Sequence, residues 1–414
     1  MAEEKKRLIK KIQATSQMKK IMADYFYELD RASKEGSPPV AWCTSVGPGE
    51  LLLSLGFLVY YPENHGAMLG TTRMANNYIP VANAIGYSPD ICSYLTSDVG
   101  AFIKKETPLS LAYEGINEVP KPDVLVYNTN QCRDVQDWFS WYARELKVPT
   151  LGISTYRCIG NVSDYNLESI TKQIKDLIPH LETISGNKFD IDKFREVLTR
   201  SYECTQLWKK VLETNMAVPA PMSFFDGTIQ MGPAVVLRGT ETAIEYYTLL
   251  LKELEEKVKN TEGAVDGEKF RLYWEGMPIW GKLRNLSEFF IELKTAVVAS
   301  TYCNSWIFEA FDPEYPFMSL ARAYTELFIV RDENFKEKYI EEMVHKYKLD
   351  GILFHDAKTC PNNSNNRYGM PERLQKRLNI PTLTINGDLN DLRCFSEEQA
   401  KTNIEAFVEQ LEVV

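Results

Sequence analysis

The sequence predicts an α/β protein made of two Rossmann-like (flavodoxin-like) parallel-sheet domains, with a helical N-terminus and a helical connector. Three observations lead there. Short β-branched or aromatic runs bounded by turn residues alternate with longer periodic segments, which is the pattern of βαβ units. The 414 residues, 44% of them hydrophobic, are too many for one ordinary core and enough for two. A stretch of sequence also recurs: Asp123-Val-Leu-Val-Tyr127 leads to Cys132 much as Asp350-Gly-Ile-Leu-Phe354 leads to Cys360, and each is followed by a helix. Those helices end alike, in Leu146-Lys-Val-Pro-Thr-Leu151 and Leu378-Asn-Ile-Pro-Thr-Leu383.

Residues 1–36 read as N-terminal helices, because Met1 to Lys20 is basic and periodic and suits a solvated helix face. A first α/β domain over 37–165 takes strands near Val40–Cys43, Phe57–Tyr60, Val124–Tyr127 and Thr150–Ser154. Residues 166–260 form the connector, since Asn166 to Glu213 has the apolar period and charge of long helices. The polar, glycine-containing stretch from Thr261 to Glu268 reads as an exposed loop that opens the second domain, 261–414. Its strands are expected near Arg271–Trp274, Ala296–Ser300, Ile352–Phe354 and Thr382–Ile385. In open sheets of this kind ligands bind outside the carboxyl ends of the strands, so a cleft between two such edges is the expected site.

Composition removes several classes of function. A net charge of −10 argues against nucleic acid as the main partner, because such binding depends on Lys and Arg neutralising phosphates. The longest apolar run, Leu51 to Tyr61, is broken by Gly56 and falls short of the ~20 residues a membrane helix needs. No apolar stretch with a small-residue cleavage site follows the basic start, so a cytoplasmic protein is expected. There is no G-x-x-x-x-G-K-[ST] phosphate loop, and Gly47-x-Gly49 lacks the third glycine of a dinucleotide fingerprint.

The eight cysteines are the remaining signal. No two form a C-x-x-C pair, so any metal site must be assembled by the fold. Cys43, Cys132, Cys158, Cys303 and Cys360 fall at or just after predicted strand ends. Ser88-Pro89-Asp90 reads as a helix start that leaves Cys92 in the first turn, and Asn130 as a cap that does the same for Cys132. Free N–H groups there favour thiolates and stabilise an anionic iron–sulfur cluster without a basic residue. Cys204, mid-helix, and Cys394 read as structural; any single one of the others also fits a small buried hydrophobe. Among the four histidines, His65 in Pro62-Glu-Asn-His-Gly66 and His355 at a strand end are the candidate proton donors facing the cleft.

Tyr87-Ser-Pro-Asp-Ile-Cys92, Asn128-Thr-Asn-Gln-Cys132, Tyr273-Trp-Glu-Gly-Met-Pro278 and Gly351-Ile-Leu-Phe-His-Asp-Ala-Lys-Thr-Cys360 resemble the 2-hydroxyacyl-CoA dehydratase and benzoyl-CoA reductase family over nearly the whole chain. The resemblance implies one 4Fe-4S cluster on Cys92, Cys132 and Cys360, charged one electron at a time by a separate iron–sulfur activator ATPase. ATP is then used by that partner and not by this chain, which has no phosphate loop. Cys43, in Ala41-Trp-Cys-Thr-Ser45, with Cys158 and Cys303, departs from the acyl-CoA enzymes and is similar to the double-cubane cluster branch of the family. That branch implies two cubanes joined by a bridging sulfide, an 8Fe-9S cofactor, in an anaerobic homodimer that reduces small molecules.

The main expectation is therefore an ATP-dependent, low-potential reductase using the double cubane on Cys43, Cys92, Cys132, Cys158, Cys303 and Cys360. One alternative is a single-cluster subunit of a 2-hydroxyacyl-CoA dehydratase or benzoyl-CoA-type reductase, in which Cys43, Cys158 and Cys303 are structural. Another is a non-catalytic electron-relay protein.

Overall fold

A computed structural model describes residues 9–157 and 159–413. Two four-stranded parallel sheets carry the fold. The first holds β1 (Val40–Cys43), β2 (Leu58–Tyr60), β3 (Val124–Asn128) and β4 (Thr150–Ile153) in the order β2-β1-β3-β4. The second holds β5 (Phe270–Glu275), β6 (Thr295–Ser300), β7 (Gly351–Ala357) and β8 (Thr382–Gly387) in the equivalent order β6-β5-β7-β8. All eight predicted strands are present, with ends moved by a few residues at most.

The sequence repeat has a mechanical meaning. Asp123 accepts the Val40 N–H at 2.8 Å and returns its own N–H to Val40 O, so it clamps the start of β3 to β1. Asp350 does the same for β7 and β5, accepting the Arg271 N–H at 2.7 Å. The paired Leu-x-x-Pro-Thr-Leu segments match as well. Lys147 and Asn379 differ in type but both take the left-handed conformation that ends a helix, at φ 56° and 53°. Pro149 and Pro381 then each accept a hydrogen bond from the central strand alongside, from Leu125 and Ile352.

Between the sheets run the helices Asp164–Ser185, Ile191–Glu213 and Glu241–Lys259, each started by a side-chain cap, from Ser163, Asp190 and Thr240. The N-terminal helix Thr15–Glu35 is more than a solvated face: Met18, Ile21, Phe26, Leu29 and Ala32 are buried. Val265 within the expected exposed loop is also buried, and Glu268 there pairs with Arg271 at 2.5 Å. Beside β1, a fully buried ion pair joins Arg238 to Glu50 at 3.3 Å, with Tyr324 and Ser201 donating to the same carboxylate. It ties the connector and the second half to the helix Gly49–Ser54. No helix among the described residues is long and apolar enough to cross a membrane.

Candidate functional site

Strand order reverses at β1/β3 in one sheet and at β5/β7 in the other, the points where such sheets bind ligands. Cys132 follows β3 and Cys360 follows β7, so the two repeats deliver equivalent thiols to the space between their edges. Cys92 joins them from the long crossover between β2 and β3. These three sense one another: burial first, then Cys132 and Cys360, push the Cys92 thiol well up, and Cys360 adds to the burial that holds Cys132 at about 12. Burial likewise raises Cys360 to about 12.

At each of the three the backbone N–H three residues on, of Leu95 for Cys92, Val135 for Cys132 and Asn363 for Cys360, opposes that rise. Such N–H groups offset negative charge without a cation. The expected caps are placed differently. Cys92 is itself the N-cap of the helix Ser93–Lys104, and Ser88 accepts from Asp90 in the turn before it. Asn130 spends its side-chain N–H groups on Val46 O (2.9 Å) and Tyr324 O (2.8 Å), and the following helix begins at Asp134.

Two carboxylates brace this set. Asp388, fully buried just past β8, accepts from Thr359 N (2.8 Å), Thr359 Oγ1 (2.6 Å) and Ser93 Oγ, the neighbours in sequence of Cys360 and Cys92. It also takes the N–H groups of Asn390 and Asp391, each at 3.0 Å. Asp134 accepts the Cys92 N–H at 3.1 Å and so links Cys92 to the helix after Cys132. Sequence reasoning missed both, because the bonds that tie them to the cysteine segments span 29 and 295 residues for Asp388 and 42 for Asp134.

The other candidates are arranged otherwise. Cys92, Cys132 and Cys360 remain partly exposed, whereas Cys43 and Cys303 are buried. The charged groups that act on Cys43 are Arg238, Glu50 and Glu63, with no other thiol among them. Its sulfur packs so closely on Gly47 that a Cβ there would meet it at 2.7 Å. Cys303 lies against Gly227, where the corresponding distance is 3.3 Å. Both therefore belong to the packed core, unlike the partly exposed three. Cys158 lies outside the described residues; beside it, Arg157 spans the cleft mouth from Gln131 O (2.9 Å) to Asn362 Oδ1 (3.1 Å). Cys204 is buried mid-helix, and Cys394 responds to Asp391 and Asp388 and to no thiol.

Neither histidine is placed as a cleft-facing proton donor. His65 is buried with both ring nitrogens engaged, Nδ1 by Asp98 and Nε2 by Thr107 at 2.8 Å. His355 is buried, donates from Nδ1 to Met277 O at 2.6 Å, and has its pKa lowered by burial, which keeps it neutral. Glu63, two residues before His65 in the same motif, takes the expected place. It lines a cavity of about 360 Å³ between the halves, alongside Gln131, Tyr94, Tyr302 and Asn363. Burial raises its pKa, opposed by hydrogen bonds from the Ser45 N–H and from Gln131 Nε2 at 3.0 Å.

Among the described residues no three His, Cys, Asp or Glu side chains converge closely enough to share one metal ion. The chemistry of three neighbouring thiols fits an iron–sulfur cluster, in which each thiolate would bind its own iron. Fold and site together define a duplicated α/β protein with a three-thiol cleft beside a carboxylate-bearing cavity.

The chain belongs to the 2-hydroxyglutaryl-CoA dehydratase D-component family, whose model matches residues 44–411. It is 30% identical over 401 residues to the (R)-2-hydroxyisocaproyl-CoA dehydratase alpha subunit of Clostridioides difficile, covering 95% of this chain and 94% of that one. It is 31% identical to the (R)-phenyllactyl-CoA dehydratase alpha subunit of Clostridium sporogenes, over 91% and 90% of the two chains. A subunit of the benzoyl-CoA reductase of Thauera aromatica is 29% identical, over 95% and 93%. The resemblance seen in the motifs is thus a family membership, and the protein is an enzyme of this dehydratase and reductase family.

Proposed function

We propose that the chain is the cluster-bearing subunit of an acyl-CoA dehydratase or aryl-CoA reductase, with a single 4Fe-4S cluster on Cys92, Cys132 and Cys360. The observation that carries this reading is the separation of the cysteines into two groups. Three are partly exposed and act on one another electrostatically, each with a backbone N–H that favours its thiolate; Cys43 and Cys303 are packed into the core. A double cubane would draw on both of these buried cysteines as well, whereas relatives named as dehydratase and reductase subunits favour the single-cluster reading. Names of relatives that are dehydratase and reductase subunits favour an enzyme over an electron relay, and a second, different subunit over a homodimer.

When bound, such a cluster supplies single electrons at low potential. The chain's own residues do the rest. Asp388 and Asp134 fix the spacing of the ligand segments. Glu63 is the one carboxylate among the described residues lining the cavity; burial raises its pKa, and Gln131 holds its Oε1 while the Ser45 N–H holds its Oε2, so it is placed as a proton donor or acceptor. With no phosphate loop in this chain, we propose that a separate activator hydrolyses the ATP.

The test is iron and acid-labile sulfide per chain in anaerobically purified protein. Roughly four of each supports the single cluster. Roughly eight irons restores the double cubane, and none in protein purified under strict anaerobiosis removes the reading.

A further inference from the structure

The cavity beside the three thiols has a chemical bias. Among its described lining residues there is no Lys, Arg or His, and the only carboxylate is Glu63. Its walls are otherwise mainly apolar, and five of the chain's 12 methionines face it: Met18, Met22, Met68, Met231 and Met277. Those methionines come from four separate parts of the chain, the N-terminal helix, the helix Pro62–Thr71, the connector and the turn after β5. A buried carboxylate without a partner is unfavourable, and one beside Glu63 is more so. Methionine is unbranched and polarisable, so it moulds to aromatic and branched aliphatic shapes alike.

We infer that this site selects its acyl group by charge and tolerates variation in shape. It takes thioesters of neutral aliphatic or aromatic acids and rejects those that carry a second, terminal carboxylate. The inference rests on the acyl-CoA reading above and narrows it, since members of one family handle both kinds: relatives are named for 2-hydroxyisocaproyl-, phenyllactyl- and 2-hydroxyglutaryl-CoA. Only the last acyl group ends in a carboxylate, and among the described residues the cavity wall offers that group no counter-charge, the guanidinium of Arg157 at the mouth being engaged by Gln131 O, Ile329 O and Asn362 Oδ1.

Calorimetric binding of isocaproyl-CoA, 3-phenylpropionyl-CoA and glutaryl-CoA to the anaerobically purified protein tests the inference without turnover. The first two are expected to bind within about threefold of each other and at least about tenfold more tightly than glutaryl-CoA, a difference of about 1.4 kcal/mol. Met68→Arg places a cation in the wall and is expected to reverse or erase that preference; Met22→Lys enters from the N-terminal helix and is expected to do the same if the first variant folds poorly. Glutaryl-CoA binding as tightly as the neutral esters to the unaltered protein overturns the inference. Retained discrimination in both cationic variants, shown to be folded, overturns it too. Failure to bind any of the three esters instead overturns the acyl-CoA reading on which it stands.

Discussion

Asp388→Asn separates a brace of the ligand set from an ordinary buried carboxylate. Asp388 accepts five hydrogen bonds, three on Oδ1 and two on Oδ2. An asparagine that keeps its oxygen toward Ser93, Asn390 and Asp391 turns its NH₂ against the Thr359 N–H. The Thr359 hydroxyl can rotate to accept, but the buried N–H loses its partner, and every remaining bond loses its charged acceptor. With bonds to charged groups worth about 1.5–3 kcal/mol, the change costs roughly 2–4 kcal/mol. A domain stable by about 5–15 kcal/mol survives that. What fails is the tie between the Cys92 and Cys360 segments, so iron per chain is expected to drop by more than half. Asp98→Asn is the control, because Asp98 is equally buried and accepts from His65, Trp138 and Tyr142 away from the thiols. It should destabilise by a similar amount in urea unfolding and keep its iron. If both variants lose iron in proportion to their loss of stability, or if Asp388→Asn keeps all of it, the bracing argument is wrong.

Alanine at Cys92, Cys132 or Cys360 should each abolish stable iron binding, whereas Cys43→Ala and Cys303→Ala should keep full iron at a packing cost of roughly 1–2 kcal/mol, read by metal analysis and denaturant unfolding. Glu63→Gln should keep its iron and lose roughly 10²–10⁴ in turnover, the range of a positioned acid or base; unchanged turnover would assign proton transfer elsewhere. Arg238→Met leaves Glu50 buried without its ion partner and should cost about 3–5 kcal/mol. Hydrogen bonds first from Lys282 and then from Lys401 hold the Glu397 carboxyl down at about 2. A folded pKa below the unfolded one gives stability that is complete above about pH 4.3 and is lost as the pH falls toward 2. Glu397→Gln should therefore cost only about 0.5–1 kcal/mol at pH 7, this pair being near the surface, with the difference from the unaltered protein shrinking below about pH 4.

The strands were legible because parallel strands buried on both faces are short apolar runs, and the repeat was legible because both halves solve the same clamping problem with Asp123 and Asp350. The cysteines at strand ends were harder. Period-two alternation says that a side chain at the end of a strand faces one side or the other, but not which side meets the cleft. Cys43 and Cys303 point into the core for reasons of packing on Gly47 and Gly227, which no local pattern records. In Pro62-Glu-Asn-His-Gly66 the histidine drew attention because imidazole as a residue type commonly carries protons in catalysis. The helix Pro62–Thr71 turns Glu63 toward the cavity and sends His65 to Asp98.

The matched strand order of the two sheets has a consequence for parity. Two copies of one ancestral half, placed edge to edge, offer ligands in pairs, and Cys132 and Cys360 are such a pair. The third thiol breaks the pairing: Cys92 comes from the crossover between β2 and β3, while the corresponding crossover in the second half carries Cys303, which is buried. An odd number of thiols cannot close a four-cornered cluster. If the three thiols hold the proposed 4Fe-4S cluster, the asymmetry between the halves would leave one of its corners without a protein ligand. On that reading it is the difference between the two halves, more than any single residue, that would open the site to a substrate.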